Sequence, residues 1–469
     1  MFVGREAELR TLNRLFDQSR FQMAVVYGRR RVGKTALLDE FSKDKPTLFF
    51  TAQQKSNLLN LRSFSQEAYR FFDLPATTGS FETWRDALQF VANEAKRRQR
   101  RMLFVFDEFP YAAEADPSLP SVAQISIDHA FKDSPVCMVL CGSNEGFMES
   151  NVLGRKSPLY GRRNAQIKLQ PFDYKDAARF LPGKAPVELV EYYTTFGGTP
   201  YYLEQIDAQQ TFEENVTRLF FDISGILYAE PYLLLKQELR EPALYTSVLD
   251  AVASGAGTQR AIADRAGIDS NAVGVYLKTL RSLGLVEKVV PFGENPDTSR
   301  KGRYRIGDPF FAYWYRFVSP NAGAIESGAG KAVARRVAFG EAFSTHVGQQ
   351  FEKVCLQWLL RENREGRLPI LASSFGSWWG ADPSRREQTD IDVIAADQQS
   401  KMALFGECKW RNSFNETDAI DALVHRSHLV KGYTPCGYLL FSKSEASTAT
   451  REKARGSGTV GLVSAEDLF

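Results

Sequence analysis

The sequence is poor in the residues that build disulfide frameworks and zinc sites. Its 469 residues include five cysteines and four histidines. The cysteines, at positions 137, 141, 355, 408 and 436, show no CxxC spacing, and several lie in apolar runs. This distribution is typical of buried thiols in a reducing compartment. Of the histidines, His425 and His428 are three positions apart, but no third residue completes a metal-ligand pattern.

Long apolar runs and an excess of charge are also missing. Nowhere do about 18 uncharged apolar residues follow one another, so we expect no membrane-spanning helix. The start, MFVGREAEL, lacks the apolar region of a signal peptide. We therefore expect a cytoplasmic protein without a membrane partner. The formal charge, 59 basic minus 56 acidic residues, is +3, so any basic surface for nucleic acid must be local.

The hydrophobic pattern predicts an α/β protein built in sections. Up to about Pro171, buried-type strands alternate with amphipathic helices, which predicts a parallel sheet. The strand-like runs are QMAVVYG, RMLFVFDE and PVCMVLCGSN. From Asp173 to about Arg240 the pattern is mainly helical, interrupted by FGGTP. The stretch SPNAGAIESGAGKA predicts a boundary or a mobile connection, and a second α/β section follows it.

The segment GRRRVGKT fits the pattern GxxxxGK[ST] in full, between a strand and the helix ALLDEF. Backbone N–H groups of such a loop wrap phosphates, and the helix N-terminus adds positive potential. We expect Lys34 to reach the β- and γ-phosphates of ATP and Thr35 to ligate Mg²⁺. The alternative is a chance match in a basic turn. The predicted ATP contacts are Gly28, Arg29, Arg30, Arg31, Val32, Gly33, Lys34, Thr35 and Ala36.

Acidic and polar residues end the next two buried strands. Asp107 and Glu108 would face the crevice at the carboxyl ends of the strands. There Asp107 could hold Mg²⁺ through water, and Glu108 could polarise an attacking water. A solvated strand end is the alternative. Asn144 could contact the γ-phosphate or orient that water, with Ser143 as the second choice.

The segment SPLYGRR supplies two candidates for an arginine finger, Arg162 and Arg163. A guanidinium that faces a neighbouring subunit's γ-phosphate would stabilise transition-state charge. Arginines are common on surfaces, so a solvated role is the alternative. The finger role requires a homo-oligomer.

Together FVGREAEL, YGRRRVGKT, FVFDEFPY, CGSN, SPLYGRR and FGGTPYYL resemble the archaeal-type ATPases of the STAND branch of the AAA+ superfamily. The resemblance covers roughly the first half of the chain. It implies an ATP-hydrolysing P-loop core with a helical lid. It also implies that Gly4 and Arg5 border the adenine, and that Pro200 packs near the base.

Residues from about Pro242 to Asp308 predict a winged helix, with three helices followed by the strands LVEKVV and RYRI. Lys278 and Arg281 on the third helix are available for DNA phosphates. The turn between the strands, with the strand after it, carries more basic residues, which give affinity without sequence choice. The alternative is a module that closes over the nucleotide domain and relays its motion. The basic wing residues are Arg300, Lys301, Arg303 and Arg305.

The segments DVIAA and MALFGECKW, joined by the turn-like DQQSK, predict a hairpin. Glu407 and Lys409 share one strand face, and Asp392 would lie close to them on the adjacent strand. Close carboxylates repel unless a cation lies between them, and Mg²⁺ suits such oxygen ligands. Lys409 could position or deprotonate an attacking water for phosphodiester hydrolysis. The alternative is a solvated cross-strand pair worth little.

This D…ExK arrangement resembles the PD-(D/E)xK nuclease fold, in the form that often follows archaeal-type ATPases. FEKVCLQWL, SWWGADPSRREQTDIDVIAAD and LFGECKW carry the resemblance. It implies that Glu352, in the preceding helix, assists the metal, with Asp390 as a second candidate beside Asp392. For Trp378 and Trp379 it favours packing over DNA stacking.

The expected fold is therefore α/β: a P-loop core of the ASCE/AAA+ type, a helical lid, a winged helix and a restriction-endonuclease-like domain. The expected boundaries are 1–172, 173–240, 241–318 and 319–469. The expected function is an Mg-ATP hydrolase that couples its nucleotide state to a nuclease-like domain acting on DNA. The alternatives are an ATP-switched DNA-binding regulator and a partner-sensing signalling ATPase, both with a catalytically silent nuclease fold.

Overall fold

The computed structural model describes residues 2–75 and 79–469. Residues 1 and 76–78 of the expected first domain lie outside this range. Packing divides the chain into two compact units, one ending at Pro171 and one running from Phe172 to Phe469. The finer division into four domains stays a prediction.

The first unit alternates strands and helices, as its hydrophobic pattern predicts. Its strands are β1 (Gln22–Tyr27), β2 (Thr47–Thr51), β3 (Met102–Asp107), β4 (Val136–Gly142) and β5 (Ala165–Lys168). Its helices are α1 (Glu6–Phe16), α2 (Lys34–Ser42), α3 (Asn57–Phe71), α4 (Trp84–Arg98), α5 (Phe109–Ala115), α6 (Leu119–Ser126) and α7 (Glu145–Phe147).

The strands of the first unit form a parallel sheet in the order β2-β3-β4-β1-β5. Every residue of β1, β3 and β4 is buried, which explains why these strands are continuous apolar runs rather than alternating ones. Because β4 lies between β1 and β3, the carboxyl ends of these three strands are neighbours at one edge of the sheet.

The second unit begins with helices, as expected from residue 173 onward. Its helices are α8 (Tyr174–Ala178), α9 (Pro186–Phe196), α10 (Pro200–Leu203), α11 (Phe212–Phe220), α12 (Glu230–Glu238), α13 (Pro242–Ala253), α14 (Gln259–Ala266), α15 (Ser270–Ser282), α16 (Pro309–Tyr313), α17 (Ala322–Ala324), α18 (Gly330–Val337), α19 (Glu341–Arg364), α20 (Glu416–Ser427) and α21 (Thr448–Ser457). Its strands are β6 (Val286–Val289), β7 (Arg303–Ile306), β8 (Ser374–Asp382), β9 (Glu387–Asp397), β10 (Met402–Lys409), β11 (Thr434–Ser442) and β12 (Val460–Ser464).

Helices α13, α14 and α15 are followed by the antiparallel pair β6–β7, in which Val286 pairs with Ile306. These are the elements that the sequence predicts for a winged helix. The N-caps fit the sequence too: Thr258 accepts from the N–H of Ala261, and Asp269 accepts from the N–H of Asn271. Identification of the module as a winged helix stays a prediction.

The stretch SPNAGAIESGAGKA is helical rather than a loose connection. It contains a 3₁₀ turn (Ser319–Asn321), α17, a π-helical turn (Ile325–Ala329) and the start of α18. The reason is packing, because a Cβ at Gly330 would lie 1.8 Å from the carbonyl oxygen of Phe221. Its glycine content therefore reflects close backbone contact in part, which the sequence pattern alone does not distinguish from flexibility.

The C-terminal sheet has the order β12-β11-β10-β9-β8. Strands β8, β9 and β10 pair antiparallel, whereas β10, β11 and β12 pair parallel. The predicted β9–β10 hairpin is confirmed, with Gly406 opposite Val393. A Cβ at Gly406 would lie 2.5 Å from the Val393 side chain, so this position of the hairpin needs glycine.

The cysteines and the hydrophobic segments agree with the sequence analysis. Cys137, Cys141 and Cys355 are buried, and all five thiols are free. Among the described residues, no helix combines the length and apolar character needed to cross a bilayer.

Candidate functional site

The loop between β1 and α2 has the backbone that its sequence pattern requires. Gly28 has a φ of 153°, and a Cβ there would lie 2.4 Å from the Leu169 carbonyl oxygen. Gly33, directly before α2, has a φ of 88°. Both positions favour glycine because side chains disfavour such φ values. The loop therefore leads the chain from the edge of the sheet directly into a helix N-terminus.

Lys34 is bound by its own loop. Its Nζ donates to the carbonyl oxygens of Gly28 at 2.9 Å and Arg29 at 3.0 Å, and the residue is 6% exposed. Thr35 and Ala36, the next two residues of α2, are exposed. The ammonium is thus held inside the concave side of the loop, where a phosphate could replace the carbonyls as its acceptor.

Arg5 ties the start of the chain to this loop. Its Nη2 donates to the carbonyl oxygens of Val32 at 3.1 Å and Gln170 at 2.7 Å. Gly4 and Arg5 both have positive φ, 68° and 66°. Of the two residues expected near the adenine, Arg5 therefore contacts the phosphate loop, and the role of both toward the base stays a prediction. Elsewhere in the loop, the Arg30 side chain bonds the hydroxyl of Tyr111.

The ends of β3 and β4 bring polar groups together. Asp107 is 3% exposed and accepts from the N–H of Glu108 at 3.0 Å. Burial raises the pKa of its carboxyl above the usual value. Glu108 accepts from the N–H of Ser143 at 3.2 Å and from its hydroxyl at 2.9 Å. Acidic and hydroxyl groups of neighbouring strands thus meet at the edge that carries the loop.

Ser143 rather than Asn144 contacts the predicted catalytic glutamate. Asn144 is exposed, and its side chain accepts from the N–H of Phe147 at 3.0 Å, capping the short α7. The sequence analysis ranked Asn144 first. The only signal for Ser143 in the sequence is its position directly after the buried strand β4. The role of Asn144 toward the γ-phosphate stays a prediction.

The two finger candidates differ in their contacts. Arg162 forms a bidentate pair with Asp128, at 2.9 and 2.8 Å, and also donates to the carbonyls of Pro158 and Tyr160. Arg163 lies over the Tyr160 ring, with 5.8 Å to its centroid. Among the described residues no carboxylate pairs with Arg163, so it is the freer of the two guanidinium groups.

Pro200 belongs to the second unit, where it opens α10 and is buried. The preceding Gly198 touches the backbone of Phe172 so closely that a Cβ would lie 1.8 Å from its carbonyl oxygen. The N–H of Phe172 donates to Gly198 at 2.7 Å. The packing of Pro200 near the base stays a prediction.

In the second unit, the predicted acidic residues meet where β9 and β10 pair. Asp392 precedes Val393, whose partner is Gly406, and its Oδ2 accepts from the N–H of Cys408 at 2.7 Å. Burial and then the Glu407 charge raise the pKa of Asp392 well above its usual value. Asp392 therefore lies beside Glu407 and Lys409 on paired strands, and the metal-binding and catalytic roles of the three residues stay predictions.

Glu407 is held by two cations, one of which the sequence analysis missed. Lys409 Nζ lies 2.5 Å from Oε1 of Glu407, and Arg426 Nη2 lies 2.8 Å from Oε2. Arg426, from α20, also donates to the backbone carbonyl of Asp390 at 2.8 Å. Burial lowers the pKa of Lys409, but the Glu407 carboxylate outweighs this effect and the pKa is raised.

Glu352 of α19 lies close enough to influence this cluster electrostatically. Burial raises its pKa to about 7, a change that Arg305, its ion-pair partner at 3.9 Å, partly opposes. The charges of Asp390 and Glu407 also act on it. Asp390 itself is exposed, and its Oδ1 is 3.9 Å from Arg426 Nη1.

The donor set suits a hard cation, but the oxygens are engaged. Buried carboxyl groups with raised pKa values at Asp392 and Glu352 favour a proton or a cation between them. Yet both Glu407 oxygens already contact cationic side chains. Within the described ranges, no three histidine, cysteine, aspartate or glutamate side chains are arranged to share one metal ion. A metal here would require the side chains of this cluster to rearrange.

The predicted wing contacts the C-terminal sheet. The N–H of Phe292 donates to the Ser377 carbonyl at 2.7 Å. The Arg303 guanidinium lies 5.5 Å from the centroid of the Trp379 ring. Arg305 pairs with Glu287 and with Glu352. On the third helix, α15, Lys278 and Arg281 are exposed. Part of the predicted DNA-contacting surface is thus used for packing inside this unit.

A parallel sheet in which β1 leads into a GxxxxGK[ST] loop, and in which β3, one strand further along the sheet beyond β4, leads into an acidic pair, defines a P-loop ATPase core. Residues 2–206 match the family described as an ATPase domain predominantly from Archaea. Residues 314–420 match a family described as archaea bacterial proteins of unknown function. The front of the chain is thus a nucleotide-binding ATPase domain.

The uncharacterized protein MJECL04 of Methanocaldococcus jannaschii is 31% identical over 412 residues, which cover 88% of both chains. The chain belongs to the family of that protein. Among solved structures, the Walker-type ATPase PABY2304 of Pyrococcus abyssi is 19% identical, with a TM-score of 0.49. That match covers 67% of this chain and 96% of the other. The Aeropyrum pernix ORC2 protein, in ADPNP–ADP complexes, is 12% identical with a TM-score of 0.44 over 69% of this chain and 94% of its own.

Proposed function

We propose that this chain is a STAND-type switch that hydrolyses Mg-ATP and couples its nucleotide state to a metal-dependent nuclease-like site acting on DNA. The observation that carries the ATP part is that Lys34, held in the loop after β1, acts electrostatically on Asp107 at the end of β3, which Glu108 follows directly. These are the groups that phosphoryl transfer to water needs: a cation for the phosphates, a metal ligand and a base.

The residues of the first unit divide the reaction between them. Lys34 exchanges its loop carbonyls for the β- and γ-phosphate oxygens and so holds the terminal phosphate in place. Glu108 orients and polarises the attacking water. Thr35 and Asp107 offer a hydroxyl and a buried carboxylate, a donor set that fits Mg²⁺. When bound, Mg²⁺ neutralises charge on the phosphates.

The nuclease part is supported by the close approach of Asp392, Glu407 and Lys409 on paired strands. Asp392 and Glu407, with Glu352, offer carboxylate oxygens to a divalent cation. That cation, when bound, would stabilise charge on the phosphodiester. Lys409, whose pKa is raised and which therefore stays protonated, positions the attacking water. DNA is the proposed substrate, and the exposed Lys278 and Arg281 are proposed to contact its backbone.

A second candidate function is an ATP-switched DNA-binding regulator that keeps the nuclease fold for docking only. The contacts of Glu407 with both Lys409 and Arg426 favour it, because a carboxylate satisfied by two cations has less need of a metal. The docked wing, through the Phe292–Ser377 bond, would serve either function by linking the helical module to the C-terminal sheet.

The ATP part is tested by phosphate release from Mg-ATP. Glu108→Gln removes the base while keeping the shape of the side chain. We expect its hydrolysis rate to fall by about 10²-fold or more while ATP binding persists. Glu114→Gln, the same change at an exposed residue of α5, is the matched control and should keep wild-type turnover. Equal turnover in Glu108→Gln would remove Glu108 from the mechanism.

The nuclease part is tested by incubating supercoiled plasmid with the protein and Mg²⁺ or Mn²⁺, with and without ATP. Lys409→Ala should abolish nicking, whereas Lys431→Ala, at an exposed lysine, should not. Nicking that survives Lys409→Ala would come from contamination. No nicking under any condition, together with ATP-dependent DNA binding, would favour the regulator.

A further inference from the structure

A cavity of about 340 Å³ lies within the second unit, next to the acidic cluster formed by Asp392, Glu407 and Glu352. Its walls come from α13, the β6–β7 pair, α16 with the π-helical turn that follows it (Trp314–Val318), and α19. This volume lies at the lower end of the range of small-molecule sites. Glu352 lines the cavity, so one side chain is common to the cavity and to the acidic cluster.

Five charged side chains line the cavity. Arg305, Arg316 and Lys353 contribute positive charge, and Glu287 and Glu352 contribute negative charge. Glu287 is committed to Arg305, with 2.6 Å between Oε1 and Nε. Glu352 also faces Arg305, at 3.9 Å. Both carboxylates therefore act on the same guanidinium, and among the described residues no carboxylate forms an ion pair with Arg316 or Lys353.

The hydrogen-bond acceptors of these two cations are neutral. Arg316 Nη1 donates to the amide oxygen of Gln349 at 2.9 Å, and Lys353 Nζ donates to the Gly307 carbonyl. No carboxylate in the described part of the chain pairs with either cation. Burial lowers the pKa of Arg316, as expected for a guanidinium whose hydrogen-bond acceptor is a neutral amide. An anion entering the cavity would supply the missing charge.

We propose that this cavity binds a small phosphate-bearing anion through Arg316 and Lys353, with Gln350 as a further hydrogen-bonding group on its wall. A guanidinium fork and an ammonium together match the oxygens of a phosphate group. The phosphate could belong to a free metabolite or to the end of a nucleic acid strand. Both sources present the same chemistry to the site.

The position of the site has a consequence for Arg305. An anion in the cavity attracts that guanidinium and competes with Glu352 for it. The cavity is therefore placed to influence a carboxylate of the acidic cluster, whether or not that cluster cleaves DNA. Binding itself does not depend on the proposed ATPase or nuclease activity.

The test is calorimetric titration of the full chain with pyrophosphate. Because the phosphate loop also attracts this probe, the titration is made in wild type and in Lys34→Ala. We expect one saturable site to persist in Lys34→Ala. Adding Arg316→Gln should weaken that site by about tenfold to a hundredfold, whereas Arg316→Lys keeps the charge and should weaken it less.

Arg364→Gln, the same change on the exposed side of α19, is the matched control and should bind as Lys34→Ala does. Gln350→Glu, which adds a negative charge to the wall, should also weaken binding without removing Arg316. Short oligonucleotides with and without a 5′-phosphate identify the source: tighter, Arg316-dependent binding of the phosphorylated strand indicates a nucleic acid end. If Lys34→Ala takes up no pyrophosphate at millimolar concentration, or if Arg316→Gln binds equally well, the proposal is wrong.

Discussion

The guanidinium of Arg426 lies 2.8 Å from the carboxylate of Glu407. Glu407 is almost fully buried, with 4% of its side chain exposed, and Arg426 is 13% exposed. The pair joins α20 to the strand that carries the ExK residues. Because a divalent cation would bind the same carboxylate, the arginine and the metal compete for it. The proposed nuclease site therefore requires the metal to displace Arg426 from Glu407.

We expect Arg426→Gln to lower the free energy of unfolding by on the order of 1–3 kcal/mol. The loss is limited because Lys409 still neutralises Glu407. We also expect Mg²⁺ to stabilise the variant more than it stabilises wild type, because the competing cation is gone. Denaturant unfolding with and without Mg²⁺ measures both effects.

The matched control for this variant is Arg451→Gln, which breaks an exposed ion pair with Glu445 and should change stability by less than about 0.5 kcal/mol. An equal response to Mg²⁺ in wild type and Arg426→Gln would show that the arginine does not compete with a metal.

The hydroxyl of Ser143 restrains Glu108, and its removal should raise basal ATP hydrolysis. Ser143 donates two hydrogen bonds to this carboxylate, which occupy one of its oxygens and hold it in place. Ser143→Ala removes one bond, and the rate should rise several-fold, up to about tenfold. Steady-state phosphate release measures this. A lower rate would mean that the hydroxyl positions Glu108 for catalysis instead.

We expect Arg162 to stabilise the fold and Arg163 to act in catalysis. Arg162→Ala leaves Asp128 without its bidentate partner, so we expect a lower melting temperature. Arg163→Ala should leave the melting temperature unchanged but reduce ATP hydrolysis in the oligomer by about tenfold or more. Thermal unfolding and turnover measured on the same preparations distinguish the two. The opposite pattern would exchange their roles.

His346 should make stability depend on pH in acid. It is buried, its Nε2 lies 3.0 Å from the Thr194 carbonyl, and burial lowers its pKa from 6.5 to about 4. Between these values the unfolded chain binds the extra proton and the folded chain does not. The stabilisation is therefore present above pH 6.5 and is lost as the pH falls toward 4, by on the order of 3 kcal/mol.

Comparison of wild type with His346→Asn isolates this contribution, because other titrating groups cancel in the difference. The difference in free energy of unfolding should change with pH across this window. His129→Asn, at an exposed histidine, should follow wild type. A constant difference between wild type and His346→Asn would exclude the buried histidine as the cause.

Local patterns predicted the parts of the site that depend on neighbouring residues in sequence. The phosphate loop is a strand, a turn and a helix in succession, so Lys34 and Thr35 could be placed from their motif. The hairpin that brings Asp392 beside Glu407 is also local. Because side chains alternate along a strand, the sequence also predicts that Glu407 and Lys409 share one face. In each case the geometry follows from a short segment whose backbone the sequence restricts.

The missed residues come from elements whose packing is not local. Arg426 approaches Glu407 only because α20 lies against the sheet. A signal was present, since Arg426 is three positions after the buried Leu423 and so belongs near the inner face of its helix. The helical packing of residues 319–332 was missed because Gly330 contacts Phe221, more than a hundred positions earlier.

The most direct test of the account is calorimetric titration of the wild-type chain with Mg-ATP, followed by the same titration of Lys34→Ala. We predict one saturable site per chain in wild type and binding at least about tenfold weaker in the variant, because a buried ammonium that bonds the phosphates is lost. No uptake of adenine nucleotide by wild type at millimolar concentration, or equal binding by Lys34→Ala, would contradict the central claim that this loop grips ATP.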